Sequence, residues 1–194
     1  MAIKTLRSYA AFGGAFFSDC RTTGSIIPSS PFLGRRMARA VPKGERGLIV
    51  ELGVGTGAIT KSLFDHGIPP EKLVSVDCSP EMVEWTQKRF PHANVKLGDA
   101  TRLRDLLESD KELRNHDVAH IVSSLPFKSL PKTVGYGIVE EAHRVLAKDG
   151  RFVQFTYDLR STACQILGRR FQLVDSSIVW INFPPARVNV YAPI

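Results

Sequence analysis

The sequence predicts an α/β fold in which a mostly parallel sheet carries helices on both faces. Three observations support this prediction. Short apolar runs alternate with amphipathic stretches from Gly47 onward, a glycine-rich turn follows the first run, and the C-terminal part becomes rich in β-forming residues. Such alternation is typical of parallel sheets, because two parallel strands must be joined by a crossover, usually a helix.

The elements follow one another in regular order from the first apolar run. Strands are predicted at Leu48–Leu52, Leu73–Asp77, Val95–Leu97, Val118–Val122 and Phe152–Tyr157. Helices are predicted at Thr56–Asp65, Pro80–Arg89, Arg102–Glu108 and Val134–Ala147. The β-rich segments Phe171–Phe183 and Arg187–Tyr191 flank two prolines, which predicts an antiparallel hairpin added to the sheet.

Length and composition indicate one globular domain over residues 1–194, with a core over 47–194 and an extension over 1–30. The net charge of +7 favours an anionic partner, which could be nucleic acid, an acidic membrane or an acidic substrate. The three cysteines lie far apart, so we expect a reducing cytoplasm, with no disulfide framework and no metal site. The longest apolar run, Tyr9–Phe17, is too short to span a membrane and lacks a signal-peptide cleavage site.

The turn after the first strand reads Glu51-Leu-Gly-Val-Gly-Thr-Gly57. Glycines at 53, 55 and 57 allow a sharp strand-to-helix turn and let a ligand approach the main chain. The spacing is G-x-G-x-G, whereas dinucleotide enzymes use G-x-G-x-x-G. The turn therefore predicts an S-adenosylmethionine site and disfavours NAD.

Acidic residues at neighbouring strand ends extend this predicted cofactor site. Asp77 follows the second strand, where a carboxylate can accept hydrogen bonds from both ribose hydroxyls. Asp99 follows the third strand and can accept from the adenine amine, while the N–H of Ala100 donates to the ring. Glu51 is expected near the ammonium of the cofactor. Further candidate cofactor contacts are Ser29, Thr56, Cys78 and Ser123.

With these motifs the chain resembles the class I S-adenosylmethionine-dependent methyltransferases over nearly its whole length. The resemblance implies a Rossmann-like, seven-stranded sheet whose last strand is antiparallel. It also implies that residues 47–194 form the catalytic core and that S-adenosylhomocysteine is a product.

The loop after the fourth strand, Ser123-Ser124-Leu125-Pro126-Phe127, is the candidate acceptor site. It resembles the N-L-P-Y loop of ribosomal RNA adenine dimethyltransferases, but Ser124 replaces the asparagine. A serine hydroxyl fits a planar, flipped base less well than an amide does. We therefore expect Ser124, Leu125, Pro126 and Phe127 to shape a site for a different amine.

A second resemblance covers the full chain and concerns the bacterial phospholipid N-methyltransferases. It rests on the segments Gly24–Ser30, Ser124–Pro126, Phe152–Tyr157 and Trp180–Tyr191. This family converts phosphatidylethanolamine stepwise to phosphatidylcholine, although some relatives methylate ornithine lipids. We therefore expect a phospholipid substrate and a monomer bound peripherally to the inner face of the cell membrane, and we disfavour nucleic acid as a partner.

Three further expectations concern lipid binding. Arg187 is a candidate for the lipid phosphate, with a structural salt bridge as the alternative, and Tyr9 is a candidate partner for the substrate ammonium. The N-terminus forms an amphipathic helical pattern that could bind an anionic membrane or could instead cover the sheet or the cofactor. Its candidate membrane contacts are Lys4, Arg7, Phe12, Phe16 and Phe17.

Three functions therefore remain open at the level of the sequence. The first is N-methylation of the phosphatidylethanolamine head group or of another aminolipid at the membrane surface. The second is methylation of an RNA base, which the basic N-terminus would also serve. The third is cofactor binding without catalysis.

Overall fold

The structure is a computed structural model that describes residues 30–44, 46–160 and 164–194. The strands are β1 (Leu48–Leu52), β2 (Leu73–Asp77), β3 (Asn94–Leu97), β4 (Val118–Ser123), β5 (Leu146–Thr156), β6 (Phe171–Val179) and β7 (Ala186–Pro193). The α-helices among the described residues are α1 (Pro31–Ala38), α2 (Ala58–His66), α3 (Pro80–Arg89), α4 (Leu103–Ser109) and α5 (Lys132–Val145). None of these helices has the length and apolar character needed to cross a membrane.

All seven strands form one sheet in the order β3-β2-β1-β4-β5-β7-β6. The strands from β1 to β5 pair in parallel, whereas β7 lies antiparallel to both β5 and β6. The predicted α/β sheet with an antiparallel last strand is therefore confirmed. The order places β1 beside β4. Strands are added toward one edge of the sheet from β1 to β3 and toward the other edge from β4 onward, so the carboxyl ends of β1 and β4 lie at the topological switch point.

Most predicted boundaries agree with the structure, and the exceptions have local causes. The first helix of the core begins at Ala58 because Gly57 has a φ of +75°, outside the helical region. The predicted helix over Val134–Ala147 is wrong at its end, since Leu146 already pairs with Val118 as part of β5. A short 3₁₀ turn at Ala100–Arg102 precedes α4.

The two faces of the sheet carry different helices, and side chains on each strand alternate between them. On one face α1 and α2 pack on a cluster that includes Ile49, Val122 and Val153. On the other face α4 and α5 pack on a second cluster, which includes Val50, Ile121, Phe152 and Tyr191. We call these the α1–α2 face and the α4–α5 face.

Candidate cofactor and acceptor site

The glycine loop after β1 adopts the conformation that its sequence predicts. Gly53, Gly55 and Gly57 have φ values of +79°, +50° and +75°, in the left-handed region that favours glycine. The Gly53 N–H donates to the Val76 carbonyl at 2.9 Å, which ties the loop to β2. A Cβ at Gly57 would lie 2.7 Å from the Phe90 ring, so this position also needs glycine for close packing.

Asp77 lies at the carboxyl end of β2 and holds the glycine loop. Its Oδ2 accepts from the Gly55 N–H at 3.0 Å, and its Oδ1 accepts from the Ser79 N–H at 2.9 Å. Burial raises the pKa of this carboxyl, and the backbone donors oppose that shift. A carboxylate oxygen can accept more than one hydrogen bond, so the contact with ribose hydroxyls stays a prediction.

Asp99 and Cys78 lie next to Asp77 along the same edge of the sheet. The Asp99 Oδ1 accepts from the Thr101 N–H at 2.8 Å and caps the 3₁₀ turn that begins at Ala100. Burial and, to a smaller extent, the charges of Asp77 and Asp99 raise the pKa of Cys78 to about 11. The thiol is therefore neutral at physiological pH and lies within the field of both carboxylates.

Glu51 has a more enclosed position than the sequence indicated. Its side chain is fully buried, and Oε2 accepts from the hydroxyls of Thr60 at 2.7 Å and Ser75 at 2.6 Å. Its Oε1 has no hydrogen-bond partner among the described residues. Burial raises the pKa of Glu51 to about 7. The predicted contact with the cofactor ammonium remains a prediction, and the contacts shown are those that connect β1, α2 and β2.

The loop after β4 packs directly against the glycine loop. The Ser124 N–H donates to the Leu52 carbonyl at 2.9 Å, and the Ser124 hydroxyl donates to the Gly53 carbonyl at 2.8 Å. A Cβ at Gly53 would lie 2.9 Å from Cδ2 of Leu125. Ser123 is buried, and its hydroxyl accepts from the Leu125 N–H at 3.2 Å. Ser123 therefore supports the loop, and its predicted cofactor contact stays a prediction.

A cavity of about 280 Å³ opens beside this loop. The structure brings the four predicted acceptor residues together in its lining, where residues of β5 and β7 join them. Phe127 is mostly buried and makes an edge-on contact with Phe152 at 6.3 Å between ring centroids, so it also belongs to the core of the α4–α5 face. The lining carboxylate Asp158 forms an ion pair with Lys128.

Sequence reasoning missed several polar residues in the cavity lining, among them Gln154, Asn189 and Tyr191. The Tyr191 hydroxyl accepts from the N–H of Cys164 at 3.0 Å and from Nδ2 of Asn189 at 3.2 Å. Burial raises the pKa of Tyr191. Gln154 and Asn189 interrupt apolar alternation within their strands, and that interruption is the signal that could have drawn attention to them.

Arg187 lies on β7 opposite Thr156, a cavity residue of β5. Its Nη1 donates to the Ser176 hydroxyl at 3.0 Å, and its Nη2 donates to the Leu159 carbonyl at 2.9 Å. Its Nε is buried and has no partner among the described residues. No carboxylate of the described chain forms an ion pair with it, so the alternative of a structural salt bridge gains no support there.

Several predicted contacts fall on residues outside the described part of the chain. They are the cofactor candidate Ser29, the substrate candidate Tyr9, and the membrane candidates Lys4, Arg7, Phe12, Phe16 and Phe17. The predicted N-terminal amphipathic helix falls there as well. These contacts remain predictions from the sequence.

Comparisons with known proteins agree with this geometry. Residues 49–150 match the family described as "Methyltransferase domain". Ornithine lipid N-methyltransferase of Singulisphaera acidiphila is 31% identical over 182 residues, which cover 93% of this chain and 94% of that protein. Ribosomal RNA small subunit methyltransferase A of Mycoplasma capricolum is 26% identical over 188 residues, or 89% of this chain and 64% of that protein.

A solved structure with a similar fold contains the reaction product of the cofactor. It is the N-methyltransferase NodS of Bradyrhizobium japonicum in complex with S-adenosylhomocysteine, with a TM-score of 0.62 and 16% identity. The match covers 84% of this chain and 88% of that one. At this level of identity the likeness concerns the fold.

The described residues fit S-adenosylmethionine by their own chemistry. The Asp77 and Asp99 carboxylates offer acceptors for ribose hydroxyls and an exocyclic amine, and their charge suits a cationic sulfonium compound. The glycine loop lets such a ligand approach the main chain between them. With the matched domain and the relative that covers almost all of the chain, these features show that the chain belongs to the class I S-adenosylmethionine-dependent methyltransferases.

Proposed function

We propose that this protein transfers a methyl group from S-adenosylmethionine to the amine of a membrane lipid. One observation carries the proposal: the similarity to an ornithine lipid N-methyltransferase extends over 93% of the chain. That similarity reaches well beyond residues 49–150, the region matched by the general methyltransferase domain. It therefore includes most of the residues on either side of the general domain.

The cavity suits a small amine. Its walls include the apolar side chains of Leu125, Pro126 and Phe155, which limit access of water to the reacting nitrogen. Among the described residues that line it, the one carboxylate is Asp158, which Lys128 already neutralises. This arrangement favours a neutral amine, because an unpaired carboxylate would stabilise the ammonium form, which has no lone pair with which to attack.

The chain contributes to the reaction mainly by position and by exclusion of water. The bound cofactor supplies an electrophilic methyl group on its sulfonium. The Ser124 hydroxyl donates its hydrogen bond to the Gly53 carbonyl. Its oxygen can therefore interact with the substrate only as a hydrogen-bond acceptor. The amine nitrogen forms the new N–C bond as the C–S bond breaks, the electron pair remains on sulfur, and the nitrogen releases a proton to water.

Arg187 supports a zwitterionic head group. Phosphatidylethanolamine carries a phosphate and an amine in its head group, and an ornithine acylated at its α-amine keeps its α-carboxylate and its δ-amine. A guanidinium without a carboxylate partner in the described chain can bind either anion through paired N–H groups. We therefore propose that Arg187 binds the anionic group of the head group. The experiment below compares the two lipids as acceptors.

A lipid substrate requires contact with a membrane, which we propose to be the inner face of the cell membrane. The described chain exposes Trp180, Ile181 and Phe183 at the turn between β6 and β7. Aromatic residues of this kind occur at membrane–water interfaces. The predicted basic and apolar N-terminal helix would add a second contact. Sedimentation with anionic vesicles tests the pair of contacts, and deletion of residues 1–17 is expected to weaken binding.

The deciding experiment measures transfer of labelled methyl groups to three acceptors. These are vesicles that contain phosphatidylethanolamine, vesicles that contain ornithine lipid, and structured ribosomal RNA. Label in either lipid supports the proposal and identifies the head group. Label in RNA alone would replace it with base methylation, and absence of label from all three would leave cofactor binding without catalysis.

A matched pair of variants tests the role of Arg187 in the same assay. Arg187→Gln is expected to raise the KM for the lipid about tenfold while the affinity for S-adenosylmethionine stays constant, since the lost contact is an ion pair with the head group. Arg104→Gln removes an exposed arginine that pairs with Glu108 and serves as the control. Equal lipid KM values for the two variants would contradict the assignment.

A further inference from the structure

A row of buried polar side chains crosses the sheet behind the acceptor loop. Ser123 on β4 pairs in register with Gln154 on β5, which pairs with Asn189 on β7. Each lies two residues from an apolar residue of the α4–α5 face, so the three side chains point to that same face. All three are buried. Buried polar groups are costly unless they are hydrogen-bonded, so each partner in this row matters.

Asn189 is satisfied by its neighbours. Its Oδ1 accepts from the Ser176 hydroxyl at 2.8 Å, and its Nδ2 donates to the Tyr191 hydroxyl at 3.2 Å. The Ser123 hydroxyl likewise accepts from the Leu125 N–H. Gln154 differs from these two residues because one of its polar atoms has no hydrogen-bond partner among the described residues.

The orientation of the Gln154 amide is determined by two carbonyl groups. Its Nε2 donates to the Leu125 carbonyl at 3.0 Å and to the Phe155 carbonyl at 2.8 Å. The reversed amide would place an oxygen against two oxygens, so the two carbonyls assign the nitrogen and the oxygen. The Oε1 atom is left buried, with no hydrogen-bond partner among the described residues.

This unpartnered acceptor belongs to a residue that is 5% exposed and lines the 280 Å³ cavity. The same amide also holds the backbone of Leu125, a residue of the acceptor loop. A group that enters the cavity and donates an N–H would satisfy Oε1 and remove the cost of the unpaired acceptor. An amine that is to be methylated is such a group.

We infer that Oε1 of Gln154 accepts an N–H of the acceptor amine and thereby directs the nitrogen lone pair toward the methyl group. This inference rests on the proposed function and specifies how the site holds its substrate. An amide oxygen is suited to the task because it binds an N–H without the charge that would keep the amine protonated.

The inference distinguishes the successive methylations. A neutral primary amine has two N–H bonds and a secondary amine has one, so both can donate to Gln154. A neutral tertiary amine has none. Gln154 therefore assists the first and second methyl transfers, and the third proceeds without this contact.

The test compares a primary-amine lipid with its N,N-dimethyl derivative as acceptors for Gln154→Met. The lipid is the one that the wild-type protein methylates, phosphatidylethanolamine or ornithine lipid. We expect kcat/KM for the primary amine to fall about tenfold relative to kcat/KM for the dimethyl lipid. A general disturbance of the loop would lower both values equally, and an unchanged ratio would overturn the inference whatever the absolute loss.

A second variant keeps the test decisive if Gln154→Met does not fold. Gln154→Glu has the same shape but places a carboxylate beside the amine, so the pH profile of kcat for the primary amine is expected to move about one unit higher. An unchanged profile would overturn the inference. Methylation of any aminolipid by the wild-type protein tests the proposed function separately, since it does not depend on either variant.

Discussion

The cofactor side and the acceptor side of the site differ in the charge of their buried polar groups. On the cofactor side, Glu51 and Asp77 are buried carboxyls at the ends of β1 and β2. On the acceptor side, Gln154 and Asn189 occupy buried positions on β5 and β7, and both are neutral amides. Carboxylates suit a cationic cofactor, whereas the acceptor amine must be neutral when it attacks. The cofactor side thus presents acidic groups to a cation, whereas the acceptor side presents uncharged groups to a neutral amine.

The largest expected effect is loss of cofactor affinity when the cofactor side is made neutral. We predict that Asp77→Asn weakens binding of S-adenosylmethionine about 100-fold or more, because hydrogen bonds to a charged group contribute about 1.5–3 kcal/mol each. The variant also disturbs the contact with the Gly55 N–H. Calorimetric titration of the cofactor measures the effect.

Asp105→Asn is the matched control for Asp77→Asn. It removes the same charge from an exposed ion pair with Arg102, away from the glycine loop. The control should bind the cofactor as the wild-type protein does. If Asp77→Asn also bound it with unchanged affinity, the ribose assignment of Asp77 would be wrong.

The next effect concerns the stability of the free protein. Because burial raises the folded-state pKa of Glu51 to about 7, above its ordinary value of 4.5, the folded state holds a proton that the unfolded state releases between these values. Stability from this group is therefore greatest below pH 4.5 and falls as pH rises to 7, by about 3 kcal/mol at 1.36 kcal/mol per pKa unit. Urea unfolding of the cofactor-free protein at several pH values measures this change.

Glu51→Gln removes the titration while it keeps an acceptor for Thr60 and Ser75. The free energy of unfolding of this variant, relative to the wild-type protein, is expected to increase between pH 4.5 and 7 and then to level off. A difference that stays constant with pH would show that Glu51 does not titrate in this window and would weaken the contrast between the two sides.

The smallest effect tests the contact between the two sides. Gly53→Ala and Gly67→Ala both place a Cβ at a positive φ, which costs about 1–2 kcal/mol of stability. The new Cβ meets Leu125 in the first variant and nothing within 4 Å in the second. We predict that methyl transfer falls about tenfold for Gly53→Ala, since the acceptor loop must shift. Gly67→Ala is expected to retain activity.

Activity assays and thermal unfolding of the two glycine variants separate packing from backbone strain. Similar losses of stability with different activities are the expected pattern. Equal activities would mean that Leu125 moves aside without consequence, so that the two loops act independently.

The sequence predicted the cofactor side better than the acceptor side. Glu51, Gly53, Gly55 and Gly57 lie within seven consecutive residues, and Asp77 ends a strand that apolar patterning predicts. Such local signals predict a turn and a strand end without knowledge of the residues that pack against them in the fold. Even so, burial of Glu51 among Thr60 and Ser75 was not foreseen, because it depends on the packing of α2 against the sheet.

The acceptor side was predicted only where it coincides with a loop. Ser124 and Leu125 follow a predicted strand, but Gln154 and Asn189 lie 35 residues apart and become neighbours only through antiparallel pairing of β5 with β7. Apolar patterning predicted the two strands, and the family resemblance implied that the last strand is antiparallel. It left the register open, and a slip of one residue would send either amide to the opposite face.

By itself the sequence determined the class of fold, the glycine turn and the carboxylates of the cofactor side, because backbone preferences and side-chain periodicity are local properties. Only the tertiary structure decided which polar groups meet in the cavity and which are left without partners. The unpartnered Oε1 of Gln154 is such a result, since hydrogen-bond satisfaction depends on residues brought together from β4, β5 and β7.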